Sequence, residues 1–121
     1  MTDNRILSLL LDSWNKPIVF VDTDHNILYM NNPAKRHYSK WGNVIGKSIF
    51  HCHNEKSKEI IEKAFRALLN GGREVMIVNS PKHRVYMRSV KDEQGDIIGY
   101  YERYDPPENN DKKEKPSIKS L

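Results

Sequence analysis

The densest cluster of reactive side chains in this sequence is His51-Cys52-His53, with Ser57 four residues further on. Imidazole and thiolate ligate zinc or haem iron, and a cysteine at a helix start becomes reactive when its pKa falls. Three consecutive residues do not converge readily on one ion, however, and zinc sites use paired ligands at recognised spacings. The chain has no second cysteine, and His25, His37 and His83 lie in other segments. A zinc centre is therefore not expected. The simpler role is structural, with Cys52 a small buried hydrophobe and His53 a hydrogen-bonding group at a helix start. Asp22 and Asp24 fall in a turn, where their expected work is bonding to the backbone. No Gly-rich phosphate loop, nucleophile elbow or two-His metal helix is present, so the chain is not expected to be an enzyme.

The elements that must position these residues follow from periodicity. Ile6, Leu7, Leu10, Leu11 and Trp14 repeat as one apolar stripe of a helix, with Leu9 beside it, and Pro17 closes that segment. Pro17–Asp22 and Ile27–Asn31 are short apolar runs around an Asp/Asn-rich turn, the pattern of a hairpin. Pro33 suits the first turn of a short helix from Asn32 to Lys40. Val44, Ile45, Ile49 and Phe50, set among Gly42 and Gly46, predict short helical turns. Ile60, Ile61, Ala64, Phe65, Leu68 and Leu69 mark a longer helix from Asn54 to Asn70, stopped by Gly71-Gly72. Three strands are predicted next, over 74–79, 84–91 and 97–104. Tight turns between consecutive strands imply antiparallel pairing, hence an α+β domain with one curved five-stranded sheet covered by short helices.

At 121 residues, 37% of them hydrophobic, the chain has room for one modest core. The organisation is an N-terminal amphipathic helix over 1–15, a domain over 16–105, and a tail over 106–121 with no apolar period, expected to be disordered. A net charge of +4 is mild, and its basic residues are spread from Arg5 to Lys119, so nucleic-acid binding is not expected. The stretch Lys82-His83-Arg84 with Arg88, Lys91 and Tyr86 reads as a solvated strand face. No apolar run approaches the ~20 residues that span a bilayer, and Met-Thr-Asp-Asn-Arg does not resemble a secretory leader. A single cysteine suits a reducing compartment. The expected location is the cytoplasm, without membrane contact.

This order of elements resembles the PAS family of sensor and interaction domains, from about Leu11 to Asp105. The resemblance rests on Phe20-Val-Asp22-x-Asp24-x-Asn26-Ile27-x-Tyr29-x-Asn31, on Val44-Ile-Gly46-Lys-Ser-Ile-Phe50 and on Asp92-x-x-Gly95-x-x-x-Gly99. Cys52-His53-Asn54-Glu-Lys-Ser57 is similar to a subgroup with a Cys-His-Pro-x-Lys-Ser-like stretch, with Asn54 in place of proline. The glycine usual in the family's first turn is replaced by Asp24-His25-Asn26, and Asn26 is able to take the left-handed conformation there. The motif of the family's flavin-binding light sensors is missing after Gly46. No Glu follows Asn31 to hold a phenolate, so a coumaroyl thioester on Cys52 is not expected.

The resemblance implies a pocket between sheet and helices, an N-terminal helix that mediates dimerisation, and signalling through a flanking element. With no output domain in the sequence, the expected action is through homodimerisation or a signalling partner. Candidate pocket residues are His51, Cys52, His53, Met30, Ile49, Phe65, Met76 and Met87, with Val78 beside them. Either a small molecule or haem is the ligand this implies, haem through the His51-Cys52-His53 segment. The same apolar side chains also suffice simply to fill a small core. The expected dimer contact is Ile6, Leu7, Leu10, Leu11 and Trp14, assisted by Tyr100 and Tyr104.

Overall fold

A computed structural model describes residues 3–106, with the backbone alone for Asp3 and Cys52. Helix α1 (Asp3–Ser13) leads into β1 (Ile18–Asp22) and β2 (Ile27–Met30), then α2 (Asn32–His37). Two single 3₁₀ turns, Ser39–Trp41 and Ile49–Cys52, precede α3 (Glu55–Leu69) and the strands β3 (Glu74–Asn79), β4 (Arg84–Lys91) and β5 (Ile97–Asp105). The strands form one antiparallel sheet in the order β2-β1-β5-β4-β3, so the first and last strands pair at its centre. The expected α+β architecture is therefore present. Of the tail expected over 106–121, all but Pro106 lies outside the described residues.

Local chemistry explains each boundary. In the β1–β2 turn, Asp22 Oδ1 accepts hydrogen bonds from the amides of Asp24 (2.9 Å) and Asn26 (2.9 Å). Asp92 repeats the arrangement before β5, accepting from Gln94 (2.9 Å) and Asp96 (3.0 Å). The left-handed residue of the first turn is His25 (φ 68°), not the expected Asn26, which instead bridges to Ser48. Asn54 caps α3 through a 2.8 Å bond from the Ser57 amide, so this residue opens the helix where a proline was the pattern.

Strand register sorts the side chains between two faces. Val19 and Val21, then Tyr100 and Glu102, then Val85 and Met87 face the helices and are buried. Val19, Val21, Tyr100 and Met87 meet Ile61, Ala64, Phe65 and Leu68 of α3, with Ile49, Met30 and Tyr38, in one hydrophobic cluster. The opposite face carries an ion network. Glu74 bridges Arg88 (3.1 Å) and Arg103 (3.0 Å), and Arg103 also pairs with Asp105 (3.2 Å) while lying over the Tyr86 ring. Arg84 donates to the Pro106 carbonyl, 3.1 Å away. Much of the basic stretch is thus engaged within the sheet's own surface.

Candidate functional site

The 3₁₀ turn Ile49–Cys52 opens with Ser48 Oγ accepting from the Phe50 amide (3.1 Å). Successive residues of such a turn point about 120° apart at three residues per turn. This spacing separates the two flanking imidazoles. His51 is exposed, whereas His53 is half-buried and its Nδ1–H donates to the Ile49 carbonyl (2.8 Å). That bond fixes the ring and leaves Nε2 as its remaining polar atom. Cys52, a candidate for the same cluster, has its side chain outside the described atoms. Among the described residues no group of three His, Cys, Asp or Glu is placed to hold a metal.

Met30, Ile49, Phe65 and Met87 do come together in the core, and of the four Met30 also borders a cleft of about 270 Å³ with Tyr38 and Val44. Met76 does not join them. It is 47% exposed, because its position opposite Tyr86 puts it on the outer face. The expectation that Tyr100 assists a dimer contact is corrected for the same geometric reason. It lies on the inner face at 0% exposure, its hydroxyl sharing a 2.9 Å hydrogen bond with His25 Nδ1. Burial drives the Tyr100 phenol pKa upward, helped by Glu102 and Asp22. Burial also lowers the His25 pKa, overcoming the opposing pull of Glu62, Asp22 and Asp24.

A small cavity lies beside His53, between the first turns of α3 and strands β3–β5. It measures about 70 Å³ and is lined by His53, Ser57, Ile60, Ile61, Ile77, Val78, Val85, Glu102 and Tyr104. A bulge between Met76 and Val78 breaks the register of β3 and brings Ile77 and Val78 together at the wall. Tyr104 bonds Tyr38 hydroxyl to hydroxyl (2.9 Å), and the rings of His37, edge-on, and His83, tilted, pack against it at 4.9 and 5.4 Å. At roughly 10–15 Å³ per water the cavity takes about five water-sized groups. A tetrapyrrole does not fit these residues. The core around them is filled, and His53 faces a space suited to a far smaller molecule.

Sequence reasoning missed Glu102, the one acidic side chain in this wall. It is 2% exposed, and its Oε2 has no hydrogen-bond partner. Burial raises its pKa to about 7. The signal was available in the alternation Tyr100, Glu102, Tyr104, which places the carboxyl on the same face as two aromatics.

Below pH ~4.5 Glu102 is neutral both folded and unfolded. Above it the unfolded chain ionises freely while the folded chain does not, so stability falls until pH passes about 7 and then levels. At about 1.4 kcal/mol per pKa unit the loss reaches at most about 3 kcal/mol. Glu102→Gln is expected to abolish this component. Urea unfolding of both proteins at pH 5 and pH 8 should show the gap between them widening in favour of the variant. An equal gap at both pH values would count against the buried, unpaired carboxyl.

With this geometry in view, comparison with known proteins is decisive for the family. The family model described as PAS domain matches residues 7–104. The chain belongs to the PAS domain family. Solved structures with the same fold include a C-terminal domain from Streptococcus mutans, at 24% identity and TM-score 0.71, covering 87% of this chain and 85% of that one. A PAS domain from Colwellia psychrerythraea is 16% identical with TM-score 0.64, covering 87% and 97%. A sensory box sensor histidine kinase from Vibrio cholerae is 16% identical with TM-score 0.62, covering 85% and 90%. No curated protein matches. Among the described residues of this PAS domain, no helix is long and apolar enough to cross a membrane.

Proposed function

We propose that this PAS domain is a non-catalytic sensory or regulatory module that signals by contact, as a homodimer formed through α1. The observation that carries the reading is the surface of α1. Ile6, Leu7, Leu9 and Leu10 are 52–60% exposed on a helix of 11 residues, and Trp14, just past its end, is 44% exposed. Isolated helices of this length are marginal in water, so an apolar stripe of this kind gains most when it is covered. Beside it, on the outer face of the sheet, Leu11, Trp14, Ile18, Phe20, Tyr29 and Tyr101 border an apolar groove of about 310 Å³.

Ridge and groove on one surface are what a two-fold, self-complementary interface requires. A second copy is therefore the occupant we assign. The PAS fold and its match to a sensor kinase domain support the sensory part of the reading. The single cysteine fits action in the cytoplasm. Sedimentation at tens of micromolar is expected to give a dimer for the wild type and a monomer for Leu10→Glu. A wild type already monomeric under those conditions would refute the α1 contact.

A further inference from the structure

Tyr104, near the end of β5, carries two imidazoles from separate elements. His37 closes α2 and packs 4.9 Å from the Tyr104 ring centre, while His83, in the β3–β4 turn (residues 80–83), packs at 5.4 Å. The two imidazoles are therefore within about one Debye length of each other (~10 Å at 0.1 M salt), so their charges interact. Burial lowers the His37 pKa, and the charge on His83 lowers it further. Among the described residues neither imidazole makes an ion pair or a side-chain hydrogen bond. The nearby carboxyls are engaged elsewhere. Asp105 pairs with Arg103 (3.2 Å) and Lys16 (3.9 Å), Glu74 bridges Arg88 and Arg103, and Glu102 is buried in the core. The remaining charged groups on these elements are cations: Lys35 and Arg36 on α2, Lys40 in the turn after it, Lys82 beside His83, and Arg84 on β4. His53 meets Tyr38 at 6.4 Å, with its own Nδ1 held by the Ile49 carbonyl.

The two histidines differ in what holds them. Tyr38, next to His37, is 5% exposed and bonds the Tyr104 hydroxyl (2.9 Å), so the end of α2 is pinned to the core. The β3–β4 turn is closed on itself instead. The Ser80 amide (3.0 Å) and hydroxyl (3.1 Å) both donate to the His83 carbonyl, while Pro81 and Lys82 are exposed. The turn is thus able to move as one piece, and the His83 ring is its contact with Tyr104. A single imidazolium is tolerated beside an aromatic ring, because a cation gains from the ring quadrupole. Two beside one ring repel, and each has lost part of its hydration there. We propose that His37 and His83 form a proton-operated latch over Tyr104: with at most one ring charged the β3–β4 turn stays against β5, and charging both releases the turn and uncovers Tyr104. Because His37 holds its proton less tightly in the closed form, falling pH favours the open form, beginning below the ordinary value of 6.5. A release that needs two protons is steeper in pH than one histidine alone would give. The proposal rests on the sensory reading only in treating acidity as a signal; the latch is independent of α1.

The test is an NMR titration of the full chain from pH 8 to pH 5. The His83 and Tyr104 rings are expected to show mutual NOEs at pH 8 that are lost at pH 5, while those between Tyr38 and Tyr104 persist. The amides of residues 80–84 should shift together with the second histidine to titrate. In His83→Gln the His37 midpoint should rise towards 6.5, and in His37→Gln the His83–Tyr104 NOEs should survive at pH 5. Neither side chain is buried, so both variants should keep the folded spectrum. The latch is overturned by His83–Tyr104 NOEs that persist at pH 5 in the wild type, by a His37 midpoint unmoved in His83→Gln, or by equal loss of the NOEs in His37→Gln. Collapse of the Val19 and Met87 core signals at the same midpoint would also overturn it, since the whole chain would then be unfolding. Sedimentation reads the dimer separately, so each idea can fail without the other.

Discussion

Replacing Asn31 by alanine is expected to cost about 4 kcal/mol and to release α1 from the domain. Asn31 is fully buried, and its one amide group makes four hydrogen bonds. Oδ1 accepts from the amides of Ile18 (2.9 Å) and Ala34 (3.1 Å), starting β1 and capping α2 together. Nδ2 donates to the carbonyls of Leu11 (2.8 Å) and Lys16 (3.0 Å), holding the end of α1 and the segment that follows. Alanine removes all four bonds and leaves the Ile18 and Ala34 amides buried without acceptors. Each lost bond costs about 1 kcal/mol, and a buried orphan about 1–3 kcal/mol. Water reaches the half-exposed Leu11 and Lys16 segment and offsets part of the total. In a domain of this size about 4 kcal/mol lowers the thermal midpoint by roughly 20 °C. Thermal unfolding followed by circular dichroism checks the magnitude, and amide exchange along Leu9–Leu11 checks the release of α1. A loss under about 1 kcal/mol would mean that the amide is not the tie described.

Gly99→Ala should be about as damaging, for a steric reason. Gly99 lies on β5 between Asp22 of β1 and Val90 of β4. A Cβ there would overlap the Val21 carbonyl oxygen and stand 2.7 Å from Phe20 Cζ. A ring can rotate away, but the carbonyl oxygen belongs to the backbone of β1. Relief requires the central strand pair to separate. Overpacking of this kind costs about 1–3 kcal/mol, and each ladder bond stretched adds about 1 kcal/mol, giving a total near 4 kcal/mol. Gly95→Ala is the control, because nothing lies within 4 Å of its added carbon and only its φ of 89° opposes the change. That substitution should cost about 1–2 kcal/mol. Urea unfolding of the two variants gives the comparison, and equal losses would show that close approach at Gly99 is not the constraint.

These two residues also show what periodicity and turn chemistry reveal. Gly99 and Asn31 both fall in the motifs that carried the family resemblance, and the strands and α3 followed from apolar spacing because their buried faces are regular. Glu102 and Met76 escaped because β5 and β3 are ambiguous. Tyr100 and Tyr101 stand on opposite faces with equal aromatic weight, and Val75, Met76, Ile77 and Val78 are apolar without interruption. Only partner strands decide which face is covered, and the β3 bulge shifts the alternation midway. His51 and His53 appeared adjacent on paper, but the tight turn separates them by direction rather than by distance. The left-handed position in the first turn went to His25 over Asn26, since the ring there packs against Phe50 and Phe65 at 5.0 and 5.1 Å.

The alternation of β5 has a consequence for how the two sides of the sheet relate. Glu102 and Tyr104 form part of the cavity wall under α3, while Tyr101 and Arg103 border the groove beside α1. Cavity and groove therefore share a single partition, one peptide thick, and its two surfaces are made of consecutive residues. A substitution at Tyr101 or Arg103 is therefore separated from the cavity wall by no more than one peptide unit.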